Sequence, residues 1–264
     1  MKKMSRLFMF WSLLLFSIIL LVSCRTTVKE EYYSNGVLKS SIEYRGKKMH
    51  GEAREYYENG KLRSVRHYVK NQEDGLSQYY NSEGKIISDV EMKAGKREGR
   101  MRTYFFNSDR EMECFYKNDK LNGKQTNFDK LGNVVAEMYY VNGKADGPYK
   151  AWYSKAETIN NKNCLREVGA YKQGKCVGHW EYYDENENIT AEADFADGVG
   201  TMTTYSHRRE VAKVTHYVDN NVKDGDEKIF DDNGNLLRTI TYQRDKIVAV
   251  DGVPVQRDQL PSNE

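Results

Sequence analysis

The chain has 264 residues, with 41 Lys and Arg against 39 Asp and Glu and a formal net charge of +2. Charged residues make up 30% and aromatic residues 12%, with 20 tyrosines and only three prolines. That balance excludes the basic footprint of a nucleic-acid binder, a Pro-rich linker and a thick aliphatic core. Whatever is buried must come largely from Tyr rings and Lys or Arg stems, which present an apolar body and a polar tip.

The chain opens with Lys2, Lys3 and Arg6, then the apolar run Leu7 to Val22, "LFMFWSLLLFSIILLV", then Ser23-Cys24 and a sharp rise in polarity. That is the order of a secretory signal, and the run is short for a spanning helix of about 20 residues. "LVSC" (Leu21 to Cys24) resembles the lipobox of bacterial lipoproteins. The resemblance implies cleavage after residue 23 and acylation of Cys24, which anchors a protein effectively once two or more chains are attached. The alternative is an uncleaved anchor helix. Arg25 follows the Cys, which in the enterobacterial pattern implies the outer membrane. Setting aside Lys2, Lys3 and Arg6 leaves 38 basic against 39 acidic residues, so the slight positive balance belongs to the signal.

From Thr27 to about Val250 the chain repeats itself. Glycines mark the start of each repeat: Gly51, Gly75, Gly99, Gly123 and Gly147 at intervals of 24, then Gly178, Gly200 and Gly225. Counting back to Thr27 gives nine repeats. Five residues past each start stands an aromatic ring: Tyr32, Tyr56, Tyr80, Tyr104, Phe128, Trp152, Tyr183, Tyr205 and Phe230. A second column lies seventeen past: Tyr44, Tyr68, Tyr116, Tyr140, Tyr171, Phe195, Tyr217 and Tyr242, broken only by Met92 and allowing for seven inserted residues before Tyr171.

Each repeat reads as two short strands around a turn such as "ENGK", "SEGK" or "DNGN". Gly punctuation leaves no room for helix. A three-residue loop, Glu58-Asn59-Gly60, pairs Tyr57 with Lys61 and Tyr56 with Leu62, with Gly60 left-handed in a bulge. On that pairing Tyr56, Leu62, Ser64, Arg66 and Tyr68 share one face, and both columns fall in one buried stripe. Equivalent glycines are Gly36, Gly84, Gly132 and Gly234; Ser108, Ala156, Glu187 and Arg209 replace them in four repeats, where looser turns are expected. The expected fold is all-β: an elongated antiparallel meander of some eighteen strands in one domain, 27–250, after a signal (1–23) and an anchored N-terminus (24–26), and before a tail (251–264).

The pattern carried by Gly51, Tyr56, Tyr57, Asn59, Gly60, Lys61 and Tyr68 resembles the MORN repeat in its bacterial variant form. The resemblance implies a single-layer β-meander used for binding or scaffolding, and related bacterial chains are labelled antitoxin-like. The Tyr, Trp and Gly density of eukaryotic MORN repeats is diluted here, so their lipid-headgroup role does not carry over.

Catalytic signatures are missing from the sequence. His50, His67, His179, His207 and His216 lie in no metal-binding spacing along the chain, and there is no Cys-x₂-Cys pair. "DENEN" (Asp184 to Asn188) and "DDNGN" (Asp231 to Asn235) lack the ligand spacing of a calcium loop and read as Asx turns. No cofactor or metal is expected, and with the repeats consuming the chain no enzyme is. Cys114 falls on the expected buried face. Cys164 and Cys176 flank Tyr171; an exported compartment permits a disulfide between them, the alternative being two buried thiols.

The function expected is that of a lipid-anchored cell-envelope module that binds a protein or an envelope polymer. The aromatic face and the insertion Ser154 to Asn163 are its expected contact surfaces. The alternatives are a glycan-binding aromatic module and an antitoxin-like immunity partner.

Overall fold

A computed structural model describes residues 26–154 and 164–255. The signal, Cys24, most of the insertion and the end of the tail lie outside them. Twenty-two strands and no helix make up the described residues, which divide into two compact units. The first contains β1 (Thr26–Tyr32), β2 (Leu38–Arg45), β3 (Lys48–Tyr56), β4 (Leu62–Val69), β5 (Gln72–Glu73), β6 (Gly75–Tyr80), β7 (Ile86–Lys93) and β8 (Lys96–Tyr104). Residues of β9 (Arg110–Lys117) fall in each. The second continues with β10 (Lys120–Leu121), β11 (Gly123–Phe128), β12 (Val134–Val141), β13 (Lys144–Trp152), β14 (Leu165–Lys172), β15 (Lys175–Tyr183), β16 (Ile189–Ala196) and β17 (Val199–Tyr205). It ends with β18 (Val211–Val218), β19 (Val222–Phe230), β20 (Leu236–Gln243), β21 (Lys246–Val250) and β22 (Val253–Pro254).

Within each unit strands pair antiparallel with their neighbours in sequence, as a meander of hairpins. The count exceeds eighteen for two reasons. The first strand is interrupted before its glycine in two repeats, giving β5 and β6, then β10 and β11; and β21 and β22 follow the last repeat.

The first turn closes as its chemistry dictates. Tyr57 N donates to Lys61 O at 2.8 Å and Gly60 N to Tyr57 O at 2.9 Å. Gly60 sits at φ +79°, a backbone that costs glycine nothing. Asn59 Oδ1 accepts from Lys61 N at 3.0 Å, an Asx turn. Ser108, Glu187 and Arg209 occupy the same left-handed region at φ 72°, 63° and 63°, and their turns close with the same bonds of 2.8–3.0 Å. The looser turns expected at these three positions are not found: the flanking ladder imposes the geometry and the residue bears the strain. The fourth, at Ala156, lies outside the described residues. A left-handed non-glycine costs about 1–2 kcal/mol, partly offset by the freedom glycine gains when unfolded. Ser108→Gly should therefore raise stability by about 0.5–1 kcal/mol, read as a higher urea midpoint.

The pairing past the turn corrects the expected stripe. Tyr56 does pair with Leu62, but Glu55 pairs with Ser64, leaving Arg63 as an extra residue. The same shift recurs in the other hairpins of this kind, for example at Ile87, Thr190 and Leu237. Side chains alternate along a strand, so one extra residue inverts parity. Ala53, Glu55, Ser64, Arg66 and Tyr68 share one face, and Tyr56 lies on the other. Both columns survive, on opposite sides of the sheet.

Within each hairpin we call the side bearing the second column, such as Tyr68, the packed face and the side bearing the first, such as Tyr56, the open face. In the first unit the packed face buries Ala53, Ser64, Ser77 and Val90 around an ionic network. Arg66 pairs with Glu55 and, at 3.4 Å, with Glu73; Glu73 also accepts from Tyr68 OH and Ser77 Oγ, each at 3.1 Å. In the second unit the packed face is aromatic. Trp180 is 2% exposed, with ring centroids of Tyr171 at 5.1 Å, Tyr149 at 5.6 Å, and Tyr182 and Phe195 at 6.4 Å. Thr215 and Glu227 are buried farther along, where Glu227 takes hydrogen bonds from Lys223 Nζ at 2.7 Å and Thr215 Oγ1 at 2.9 Å.

The repeats are also stapled at their turns. The Tyr six past the repeat start donates its hydroxyl to a carbonyl of the next repeat: Tyr33 to Tyr56 O at 2.7 Å, Tyr57 to Tyr80 O at 2.8 Å, and Tyr153 to Tyr183 O at 2.8 Å. Most start glycines mark a second bulge. Gly51 has φ +111°, and a Cβ there would run into the Glu43 carboxylate, which accepts from Glu52 N at 3.2 Å. Gly75, Gly99, Gly123, Gly147 and Gly225 share that backbone, with φ between 104° and 132°, and Gly178 is left-handed at 69°. Gly200 is not, because β16 and β17 pair without a register shift.

Cys114, Cys164 and Cys176 are buried, and the disulfide considered for Cys164 and Cys176 is not formed. Cys176 pairs with Tyr171 near one end of β14, and Cys164 precedes the other end. Seven extended residues separate those ends by roughly 23 Å, and a disulfide needs Cα atoms within about 7 Å.

Candidate functional site

The two columns now have different duties. Of the second, Tyr68 and Phe195 are buried and Tyr44, Met92, Tyr116, Tyr140, Tyr171, Tyr217 and Tyr242 half-buried; these rings build the core. Of the first, Tyr32 is exposed, and Tyr56, Tyr80, Tyr104, Phe128, Trp152, Tyr183, Tyr205 and Phe230 present half-buried rings on the open face. Within each unit, equivalent rings recur every second strand, about 9.6 Å apart.

Carboxylates accompany several of these rings. Tyr104 donates to Asp89 at 2.5 Å, Tyr183 to Glu181 at 2.7 Å, and Tyr205 to Glu192 at 2.6 Å. Each phenol is shifted upward. For Tyr183, pushed up to about 12, burial leads and the Glu181 hydrogen bond adds; for Tyr205 the Glu192 hydrogen bond leads. These rings remain neutral donors at physiological pH.

A polar grouping on the open face spans β15 and β16. Glu181 pairs with Glu192, and His179 with Asp194, directly across the ladder. His179 Nδ1 lies 2.9 Å from Asp194 Oδ1 and its Nε2 3.4 Å from Glu192 Oε1. The Asp194 hydrogen bond raises the imidazole above its ordinary range, with burial working against it. Beside the grouping is a hollow of about 230 Å³ lined by Ile189, Glu192, Tyr205 and Arg209. A second, of about 320 Å³, shares Ile189, Tyr205 and Arg209 and reaches Asp184, Ser206 and His207 at the turns.

Sequence spacing missed this grouping because it looked along one strand. The signal lay in the register: once the turn and its bulge are counted, positions one and three of a repeat meet positions sixteen and fourteen. The remaining histidines are dispersed. His67 lies 3.7 Å from Glu52, and His216 contacts Thr201 at 3.4 Å. Asp184 and Asp231 each accept two backbone N–H groups of their own turn at 2.8–2.9 Å. These bonds, led at Asp184 by the Asn188 N–H and at Asp231 by the Asn235 side chain, hold both carboxylates below their usual range. Both are Asx turns.

Four stretches, residues 25–45, 49–70, 121–142 and 223–244, match the family described as MORN repeat variant. Each coincides with a repeat read from the sequence. No curated protein matches the chain. Among solved structures, TcdB2-TccC3-TEV aligns with 84% of this chain at 9% identity and a TM-score of 0.19, and TcdB2-TccC3-Cdc42 with 84% at 13% and 0.16. This chain spans 17% and 12% of their lengths. A porin-like protein from Bacteroides uniformis aligns over 84% of this chain and 92% of its own at 8% identity and a TM-score of 0.17. Repeats of the MORN variant type point to a repeat-based binding module.

Proposed function

We propose that this is a lipid-anchored protein of the bacterial cell envelope that binds another protein or an envelope polymer through the open faces of its repeats. The observation that supports this most is the first aromatic column. Its rings recur at a regular interval within each unit, and Tyr104, Tyr183 and Tyr205 hold their hydroxyls against carboxylates, which suits a ligand with alternating apolar and polar groups. Tyr gives such a surface large contact area at low entropic cost. The second column, spent on the packed face, supplies the rigidity. A Trp-based glycan platform is less favoured, because Trp180 is buried.

The test is crosslinking in intact cells, with Cys24→Ser beside the parent and a Tyr80→Ala/Tyr183→Ala/Tyr205→Ala variant. Cys24→Ser should move the protein from the membrane to the soluble fraction. The triple variant should lose at least about tenfold in crosslinked partner, since hot-spot aromatics are each worth about 2 kcal/mol or more. Crosslinks unchanged in the triple variant, or a Cys24→Ser protein that still sediments with membranes, would overturn the corresponding half of the proposal.

A further inference from the structure

We propose that His179, Glu181 and Glu192 form a binding site for a divalent transition cation of the zinc type. Their ligand atoms all lie within 4.8 Å of one another, and no other group of His, Cys, Asp and Glu converges in this way among the described residues. One imidazole and two carboxylates make a donor set such an ion accepts, with a further position left for water or an anion.

Three features point beyond an ordinary ion-pair row. First, Glu181 and Glu192 are directly opposed in the antiparallel register. Like charges so placed destabilise a sheet, and a cation between them turns that repulsion into attraction. Second, the spacing suits a metal. Nε2 of His179 and Oε1 of Glu192 are 3.4 Å apart, about the separation of two donors held tetrahedrally at ~2.1 Å from zinc. Third, each residue is braced by the atom it would not give to the metal. Asp194 holds His179 Nδ1 at 2.9 Å, Tyr183 holds Glu181 Oε2 at 2.7 Å and Tyr205 holds Glu192 Oε2 at 2.6 Å. Metal-bound imidazoles commonly carry such a carboxylate on the other nitrogen. The hollow beside Glu192, Tyr205 and Arg209 gives an exogenous ligand room.

The same positions elsewhere do not reproduce this. In the repeat starting at Gly51 they hold Glu52, Arg54 and Val65, and Glu52 pairs with Arg54 at 2.5 Å. The site is therefore specific to one repeat, and it requires no partner, so it stands or falls separately from the binding reading above.

The experiment titrates the full chain, freed of metal by a chelator and dialysed, with Zn²⁺ by calorimetry and with Co²⁺ by visible absorption. One equivalent should bind. His179→Ala, Glu181→Gln and Glu192→Gln should each weaken binding by about 100-fold or more, and Asp194→Asn by about 10–100-fold. His67→Ala should bind as the parent does. These side chains are partly exposed, so the variants should keep the parent far-UV spectrum. No saturable binding, a His179→Ala titration that matches the parent, or thiolate charge-transfer absorption with Co²⁺ would overturn the assignment.

Discussion

Replacing Trp180 by alanine should destabilise the unit that contains it by about 3–5 kcal/mol, the range for emptying a buried aromatic site. The indole is the hub of the packed face: Tyr149, Tyr171, Tyr182 and Phe195 all lie within 6.4 Å, centroid to centroid. In a sheet with little aliphatic mass, few neighbours can collapse into the gap. Urea unfolding followed by far-UV circular dichroism gives the loss directly. A midpoint within about 0.5 kcal/mol of the parent, the range typical of surface substitutions, would show that the cluster does not hold the unit together.

The second large effect should come from adding one carbon. Gly169 on β14 lies opposite the bulge that carries Trp180, and a Cβ there would overlap the indole ring. Its φ is not in the left-handed region, so the cost of Gly169→Ala is steric alone. Overpacking of this kind costs about 1–3 kcal/mol, occasionally more. It should largely disappear in Gly169→Ala/Trp180→Ala, because the clashing ring is gone. The cycle should therefore show a coupling of about 1–3 kcal/mol. Additive effects would mean that glycine is needed at 169 for some reason other than Trp180.

Much of this fold can be read from the sequence, and the unread part has a definite cause. Asn59-Gly60 and the spacing of the rings specify the turn, its length and its left-handed residue, because those depend on local backbone chemistry. Arg63 does not announce itself as an extra residue. A bulge demands no particular side chain, yet it decides which face every later residue takes. The single buried stripe was therefore expected where two faces exist. Burial of Glu227 and Asp89 was hidden in the same way, since a carboxylate's fate depends on what stands across the ladder. The grouping of His179 with Glu181 and Glu192 became visible only once the true register joined the strands.

The bulged register also governs how such a chain can change length. Between Trp152 and Leu165 this repeat holds seven more residues than its neighbours, yet Trp152 still pairs with Leu165, Ala151 still pairs with Glu167, and Tyr153 N still reaches Cys164 O at 2.9 Å. Extra sequence at a hairpin tip therefore leaves downstream parity intact, whereas losing a single residue within a strand would exchange core and surface for everything that follows. Hairpin tips are accordingly the places where epitopes or ligand-reading segments can be grafted, and whole hairpin pairs the natural currency in which this lineage can lengthen or shorten.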